Sequence, residues 1–170
     1  MDKNAVAKDF KIVIQDQSFL SETNSILIEY GAGSYFHRIC FQNCIFKNVS
    51  LPGTQFRSCD FQNCSFSNFF HGKGIFASCC LKDCKIVDSY MSRLDCRNTQ
   101  FKDCDFIGVD LAASDIDRCT FKGTSFLKSN LKYIGLYNSY LEDCKISDSE
   151  VERVTFFDTQ LKTLTFWKTY

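Results

Sequence analysis

The sequence predicts an all-β solenoid, in which the chain winds into about seven stacked square coils. Three observations predict it. A large apolar residue occupies every fifth position from Phe36 to Phe166, a small residue precedes most of these by two positions, and the other three positions of each unit are mostly polar. A strand repeats every two residues and an amphipathic helix every 3.6, so neither element explains a period of five.

The large-residue series runs over 27 positions without an insertion, and 25 of them are Phe, Leu, Ile, Met or Val. The exceptions are His71 and Cys96. In the series two residues earlier, 22 of 27 positions are Cys, Ser, Thr, Val or Gly. Such regularity at a fixed short period is typical of a solenoid, in which each unit packs only on its neighbours.

The ratio of inward to outward residues predicts the shape of each coil. Two of five residues point inward and three point outward, so the chain must turn a corner at every unit. Four corners close a coil of about 20 residues, and coils that stack through backbone hydrogen bonds rise by roughly 4.8 Å per layer. Residues 34–170 then form a rod on the order of 33 Å long.

The unit small–x–large–x–x resembles the motif of the pentapeptide-repeat family, small–[Asp/Asn]–[Leu/Phe]–x–x. Asp60, Asp105, Asp110 and Asp115 fit its second position, although other residues occupy that position in most units. The resemblance covers about four fifths of the chain. It implies the fold of that family, a right-handed quadrilateral parallel β-helix.

Residues 1–33 lie outside the period and are predicted to form an N-terminal capping segment, with the β-helix over residues 34–170. The segment contains the strand-like runs "FKIVIQ" and "SILIEY", followed by the chain-breaking "GAGS". A solenoid exposes an unpaired strand edge at its end, which a cap covers.

The composition argues against several partners. The chain has 20 basic and 20 acidic residues, so no global field attracts nucleic acid or an anionic membrane, and neither contact is expected. The N-terminus lacks the apolar core of a secretory signal. We therefore expect a cytoplasmic protein, or alternatively a secreted effector that is delivered to a host cell.

Eleven cysteines, an odd number, argue against a disulfide framework in such a protein. Most fall in the small inward series, where Thr and Ser alternate with them, so they are interpreted as core residues. No metal and no cofactor are expected, because Cys-x-x-Cys pairs and register-compatible histidines are missing. Cys40 and Cys80 fall on outward positions and are predicted to be exposed, reactive thiols.

Two irregularities interrupt the period. In "FFHGKG" Phe69 takes a small position and His71 a large one, which predicts a local bulge. His71 is interpreted either as a ligand or base, or as a packed or solvent-turned side chain. Leu94 and Cys96 exchange large and small positions, which conserves volume. No catalytic motif is present, so an enzyme is not expected.

Stacking the period in coils of 20 residues places one outward apolar row along the rod, Val87, Ile107, Leu127, Ser147 and Trp167. Such a row predicts a protein contact surface. The alternative is that β-branched residues only stabilise the strand. Further outward aromatic residues near the C-terminus are interpreted either as tolerated surface residues or as contact residues for a partner, for a homodimer through that end or for the rest of a longer protein. They are Tyr133, Tyr137, Tyr140, Phe157 and Tyr170.

Three functional hypotheses follow. The first is a non-catalytic scaffold that binds an unidentified protein. The second is implied by the resemblance, because the pentapeptide-repeat family includes quinolone-resistance proteins that mimic DNA and bind DNA gyrase or topoisomerase. Residues 34–170 carry 17 basic and 15 acidic residues and no visible terminal helix, which counts against it. The third is the substrate-binding β-helix of a larger bacterial effector, such as an effector ubiquitin ligase.

Overall fold

The computed structural model describes residues 12–20 and 33–170, which contain β-strands and no helix. Most strands are three residues long, and they occupy three of the four sides of a coil. The strands are β1 (Ile12–Gln15), β2 (Ser18–Leu20), β3 (Tyr35–His37), β4 (Ile39–Gln42), β5 (Ile45–Lys47), β6 (Gln55–Arg57), β7 (Asp60–Gln62), β8 (Ser65–Ser67), β9 (Ile75–Ala77), β10 (Cys80–Lys82), β11 (Lys85–Val87), β12 (Asp95–Arg97), β13 (Gln100–Lys102), β14 (Asp105–Ile107), β15 (Asp115–Asp117), β16 (Thr120–Lys122), β17 (Ser125–Leu127), β18 (Gly135–Tyr137), β19 (Tyr140–Ser147), β20 (Thr155–Phe157) and β21 (Gln160–Trp167).

The chain forms the four faces of a parallel solenoid, three of them built from these strands. The first face is a seven-stranded sheet from β3 to β20, so the rod has seven coils, as predicted. The second and third faces belong to one 14-stranded sheet, in which the long strand β19 joins them. The fourth face is held by single parallel bridges, from Ser50↔Phe70 to Asn130↔Glu150. Partners within the repeats are 20 residues apart, as in Phe61↔Leu81, so the predicted columns exist.

Each corner of a coil is made by one residue in the left-handed region. Positive φ recurs at every fifth residue from Gly33 to Lys168, and most of these residues are not glycine. The corner N–H donates to the next coil, as from Asn63 to the Lys82 carbonyl at 2.9 Å. Asparagine side chains also form a ladder, in which Asn63 Nδ2 donates to Asn43 Oδ1 at 3.0 Å. Asn, Asp and Gly are therefore frequent at this position, because they tolerate positive φ best.

Replacing Ala113 with glycine is expected to stabilise the protein by about 0.5–1 kcal/mol, because alanine at φ 55° bears a steric cost that glycine avoids. Urea denaturation at neutral pH measures the change. Ala112→Gly is the matched control, because Ala112 is not among the residues with positive φ. Glycine there should destabilise the protein, and equal effects at the two positions would contradict the corner argument.

The small inward residues share one hydrogen-bonding geometry. Cys64 Sγ lies 3.4 Å from the Phe41 carbonyl oxygen of the preceding coil. Thr99 Oγ1 donates to the Phe76 carbonyl at 3.3 Å, and Ser149 Oγ to the Phe126 carbonyl at 3.4 Å. Any short side chain with one donor can bond to this carbonyl of the preceding coil, so Cys, Ser and Thr replace one another in the columns.

The large inward residues form the core. In the first coils they are mainly stacked phenylalanines, such as Phe41 and Phe61 with ring centroids 4.9 Å apart. Further along the rod the core becomes aliphatic. The sequence period places Phe156, Leu161 and Phe166 in the core as well, but these residues of the seventh coil are 39–48% exposed. No further coil among the described residues covers them.

The described part of the N-terminal segment extends the solenoid. Strand β1 pairs with β4 and places Ile14 beside Phe41, and β2 pairs with β5 and places Phe19 beside Phe46. The offset is therefore 27 residues instead of 20. The rest of the predicted cap, including "SILIEY", lies outside the described residues.

Candidate contact surfaces

His71 is packed in the core, and the predicted bulge at this position is wrong. The backbone continues in register, because His71 N donates to the Tyr90 carbonyl at 2.8 Å. The ring is fully buried, with Nδ1 3.0 Å from the Leu51 carbonyl oxygen and Nε2 without a partner. A Cβ at Gly74 would overlap the ring, so glycine makes the room that lets the histidine replace an apolar residue.

Burial lowers the pKa of His71 to about 4, because the charged imidazolium would lose its hydration. The ring is therefore neutral at physiological pH. It contacts the rings of Phe56, Phe69 and Phe76, with centroids 5.1–5.5 Å away. This environment makes His71 a structural residue in an apolar setting.

None of the eleven cysteines forms a disulfide bond, and Cys40 is not the exposed thiol that the sequence predicted. It is 2% exposed, because strand β1 places Val13 beside it, and burial raises the pKa of its thiol. Cys80 is partly exposed. The Sγ atoms of Cys96 and Cys119 lie 3.6 Å apart in the core, and burial raises the pKa of Cys96. The described residues contain no cluster suited to a metal ion.

The apolar row lies on the third face, with its members in direct register. Val87 pairs with Ile107 and Ile107 with Leu127, and all three are partly exposed. Ser147 then interrupts the row before Trp167, which is 65% exposed. The arrangement is a narrow apolar stripe on a flat sheet.

The predicted C-terminal aromatic residues surround the rod and do not converge on one patch. Tyr137 and Phe157 lie on the first face, Tyr140 on the second and Tyr170 at the fourth, while Tyr133 occupies a corner. Tyr133 is held there by Arg153, whose guanidinium lies 5.7 Å from the ring centroid.

An exposed aromatic pair on the fourth face was missed by the sequence reasoning. Phe70 and Tyr90 are 41% and 42% exposed, and their rings stack with centroids 4.8 Å apart and an interplanar angle of 8°. The rings lean across Gly72, where a Cβ would overlap Tyr90. Reading the column Ser50, Phe70, Tyr90, Asp110 would have found the pair, because residues 20 apart are neighbours.

The groove beside this pair is basic. It has a volume of about 270 Å³ and is also lined by Pro52, Lys73 and Arg93. Among the described residues, Lys73 and Arg93 form no ion pair. Elsewhere acidic groups neutralise many of the cations, and Glu142 bridges Lys122 and Lys162. We call Phe70, Tyr90, Gly72, Lys73 and Arg93 the aromatic ledge.

The comparisons with known proteins agree with this geometry. The family model described as "Pentapeptide repeats" matches residues 32–68 and 104–143, with 8 copies of the repeat. The chain therefore contains pentapeptide repeats in these two ranges. A comparison with curated protein sequences finds no match.

Solved pentapeptide-repeat structures share the fold. Full-length QnrB1, described as a plasmid-mediated fluoroquinolone resistance protein, superposes with a TM-score of 0.57 at 16% identity, over 91% of this chain and 93% of that one. Rfr23, a pentapeptide-repeat protein from the cyanobacterium Cyanothece 51142, gives a TM-score of 0.50 at 9% identity, over 66% and 88% of the two chains. In the described part of this chain, no helix is long and apolar enough to cross a membrane.

Proposed function

We propose that this pentapeptide-repeat protein is a non-catalytic scaffold that binds another protein through the aromatic ledge. The observation that carries the proposal is the stacked, exposed pair Phe70 and Tyr90 beside Lys73 and Arg93, two cations that form no ion pair with any described residue. Aromatic residues and arginine dominate the energetics of protein interfaces. Single parallel bridges and backbone hydrogen bonds between adjacent coils hold this group in place, so binding costs little conformational entropy.

The residues of the aromatic ledge indicate which kind of peptide segment it can bind. The rings and Pro52 offer an apolar wall, and the corner residues Lys73 and Arg93 of adjacent coils also line the groove. An extended segment with an aromatic or proline side chain next to acidic residues matches both features. The stripe of Val87, Ile107 and Leu127 lies on another face and lacks such a groove, so it is the second candidate surface.

The test combines affinity capture with matched variants. The protein is used as bait, a captured protein is identified and purified, and its affinity is measured by calorimetry. We expect Phe70→Ala/Tyr90→Ala and Lys73→Glu/Arg93→Glu each to weaken binding about tenfold or more. Tyr35→Ala removes an exposed aromatic residue from the first face and should have no effect. A purified partner whose affinity is lost only on Ile107→Glu would transfer the proposal to the stripe.

The alternative is protection of DNA gyrase or topoisomerase against fluoroquinolones. The likeness to QnrB1 concerns the fold alone, and the nearly neutral surface of residues 34–170 does not favour DNA mimicry. A supercoiling assay with a fluoroquinolone separates the two functions. A dose-dependent rescue at near-stoichiometric protein would favour protection, and no rescue is expected of a scaffold.

A further inference from the structure

The core of the rod becomes less full toward the seventh coil. In the second coil the large inward residues are Phe56, Phe61, Phe66 and His71, whereas in the sixth they are Leu136, Leu141, Ile146 and Val151. The backbone cross-section stays the same, because every coil has 20 residues and pairs residue for residue with the next. Smaller side chains in an unchanged cross-section leave space at the axis.

The structure contains this space as an axial cavity of about 240 Å³. Phe66, Phe69 and Phe76 bound it at one end, and Val151, Phe156 and Phe166 at the other. Its walls are apolar side chains from every coil between. The cavity spans about five layers, or roughly 24 Å, and is therefore long and narrow.

The chemistry of the walls restricts what can fill the cavity. Water needs two to four polar partners in a buried site, and an apolar cavity that lacks them stays dry and accepts apolar guests. The length and small cross-section exclude a branched or polycyclic molecule. The rim residues Val151, Val154 and Phe156 are partly or largely exposed, so the cavity opens at the seventh coil in the described chain.

We propose that the axial cavity binds a single unbranched hydrocarbon chain, which enters between Val151, Val154, Phe156 and Phe166. Any polar head group stays outside the mouth, because the cavity walls offer no partner for it. The chain would bury its methylene groups against Leu136, Ile146 and their neighbours and fill a void that costs the protein stability. This site is separate from the aromatic ledge and does not depend on the proposed scaffold function.

The test uses decanoate as the free chain and sonicated phosphatidylcholine vesicles as the membrane source. Calorimetric binding of decanoate alone assigns a free chain, and binding of both assigns a chain taken from lipid. Binding of neither overturns the proposal. Leu136→Phe should weaken decanoate binding at least tenfold and raise the melting temperature by about 2–4 °C, because the larger ring fills the cavity. The coil accommodates a phenylalanine at this position, since Phe36, Phe56 and Phe76 occupy the same column.

The matched control is Leu127→Phe, which makes the same change on the outward stripe and should leave decanoate binding unchanged. Ile116→Phe lies in the same inward column as Leu136 and serves as a second filling variant if Leu136→Phe does not fold. Decanoate binding that survives in a folded filling variant would overturn the proposal.

Discussion

Replacing Phe61 with alanine is expected to lower the free energy of unfolding by about 3–5 kcal/mol. Phe61 is fully buried, and its ring stacks on Phe41 at 4.9 Å and meets Phe46, Phe56 and Phe76 edge-on. The substitution removes the ring from the centre of this network and leaves a void. The hydrogen-bonded coils on either side keep the surrounding side chains from closing that void. Chemical denaturation at pH 7.5 measures the loss.

Phe157→Ala is the control for this prediction, because Phe157 is an exposed phenylalanine on the first face. Its removal should change the free energy of unfolding by no more than about 0.5 kcal/mol. Similar losses at the two positions would show that the phenylalanines of the first coils do not form a rigid core.

Lowering the pH from 6.5 to 4 is expected to destabilise the protein by about 3 kcal/mol through His71 alone. Its pKa is about 4 in the folded protein and near 6.5 when the chain is unfolded. Between these values the unfolded state binds more protons, so stability falls as the pH falls through this window. Below pH 4 both states are protonated and this contribution levels off.

The variant His71→Leu isolates the effect. Leucine matches Leu51 and Leu111 in the same column, removes the unsatisfied Nε2 and does not titrate. Urea denaturation at pH 7.5, 5.5 and 4 should therefore give a shallower pH dependence for the variant than for the original protein. If the free energy of unfolding had the same pH dependence in both proteins, the pKa of His71 would not differ between the folded and unfolded states, which would contradict the prediction.

Much of the fold could be predicted because its physical cause is local. The period of five marks nearly every inward side chain, including the exceptions His71 and Cys96, and a count of four corners gives the coil length. The burial of Cys40 could not be predicted, because it depends on strand β1. That strand joins the solenoid with an offset of 27 residues, which no period in the sequence encodes.

The candidate surfaces were predictable only in part. The stripe of Val87, Ile107 and Leu127 follows directly from stacking residues 20 apart. The aromatic ledge obeys the same rule, but its importance depends on ring orientation and on Lys73 and Arg93 having no acidic partner among residues 12–20 and 33–170, which one column does not show. The exposure of Phe156 and Phe166 depends on their place in the last described coil and not on their residue type.

The strict 20-residue pairing fixes the distances between surface features along the rod. Two surface features on different coils are separated by a whole number of layers, each about 4.8 Å. Duplicating or deleting one complete coil between them would change their separation by one layer and would keep each feature on its own face. The spacing between two bound molecules could then evolve in discrete steps, without redesign of either contact surface.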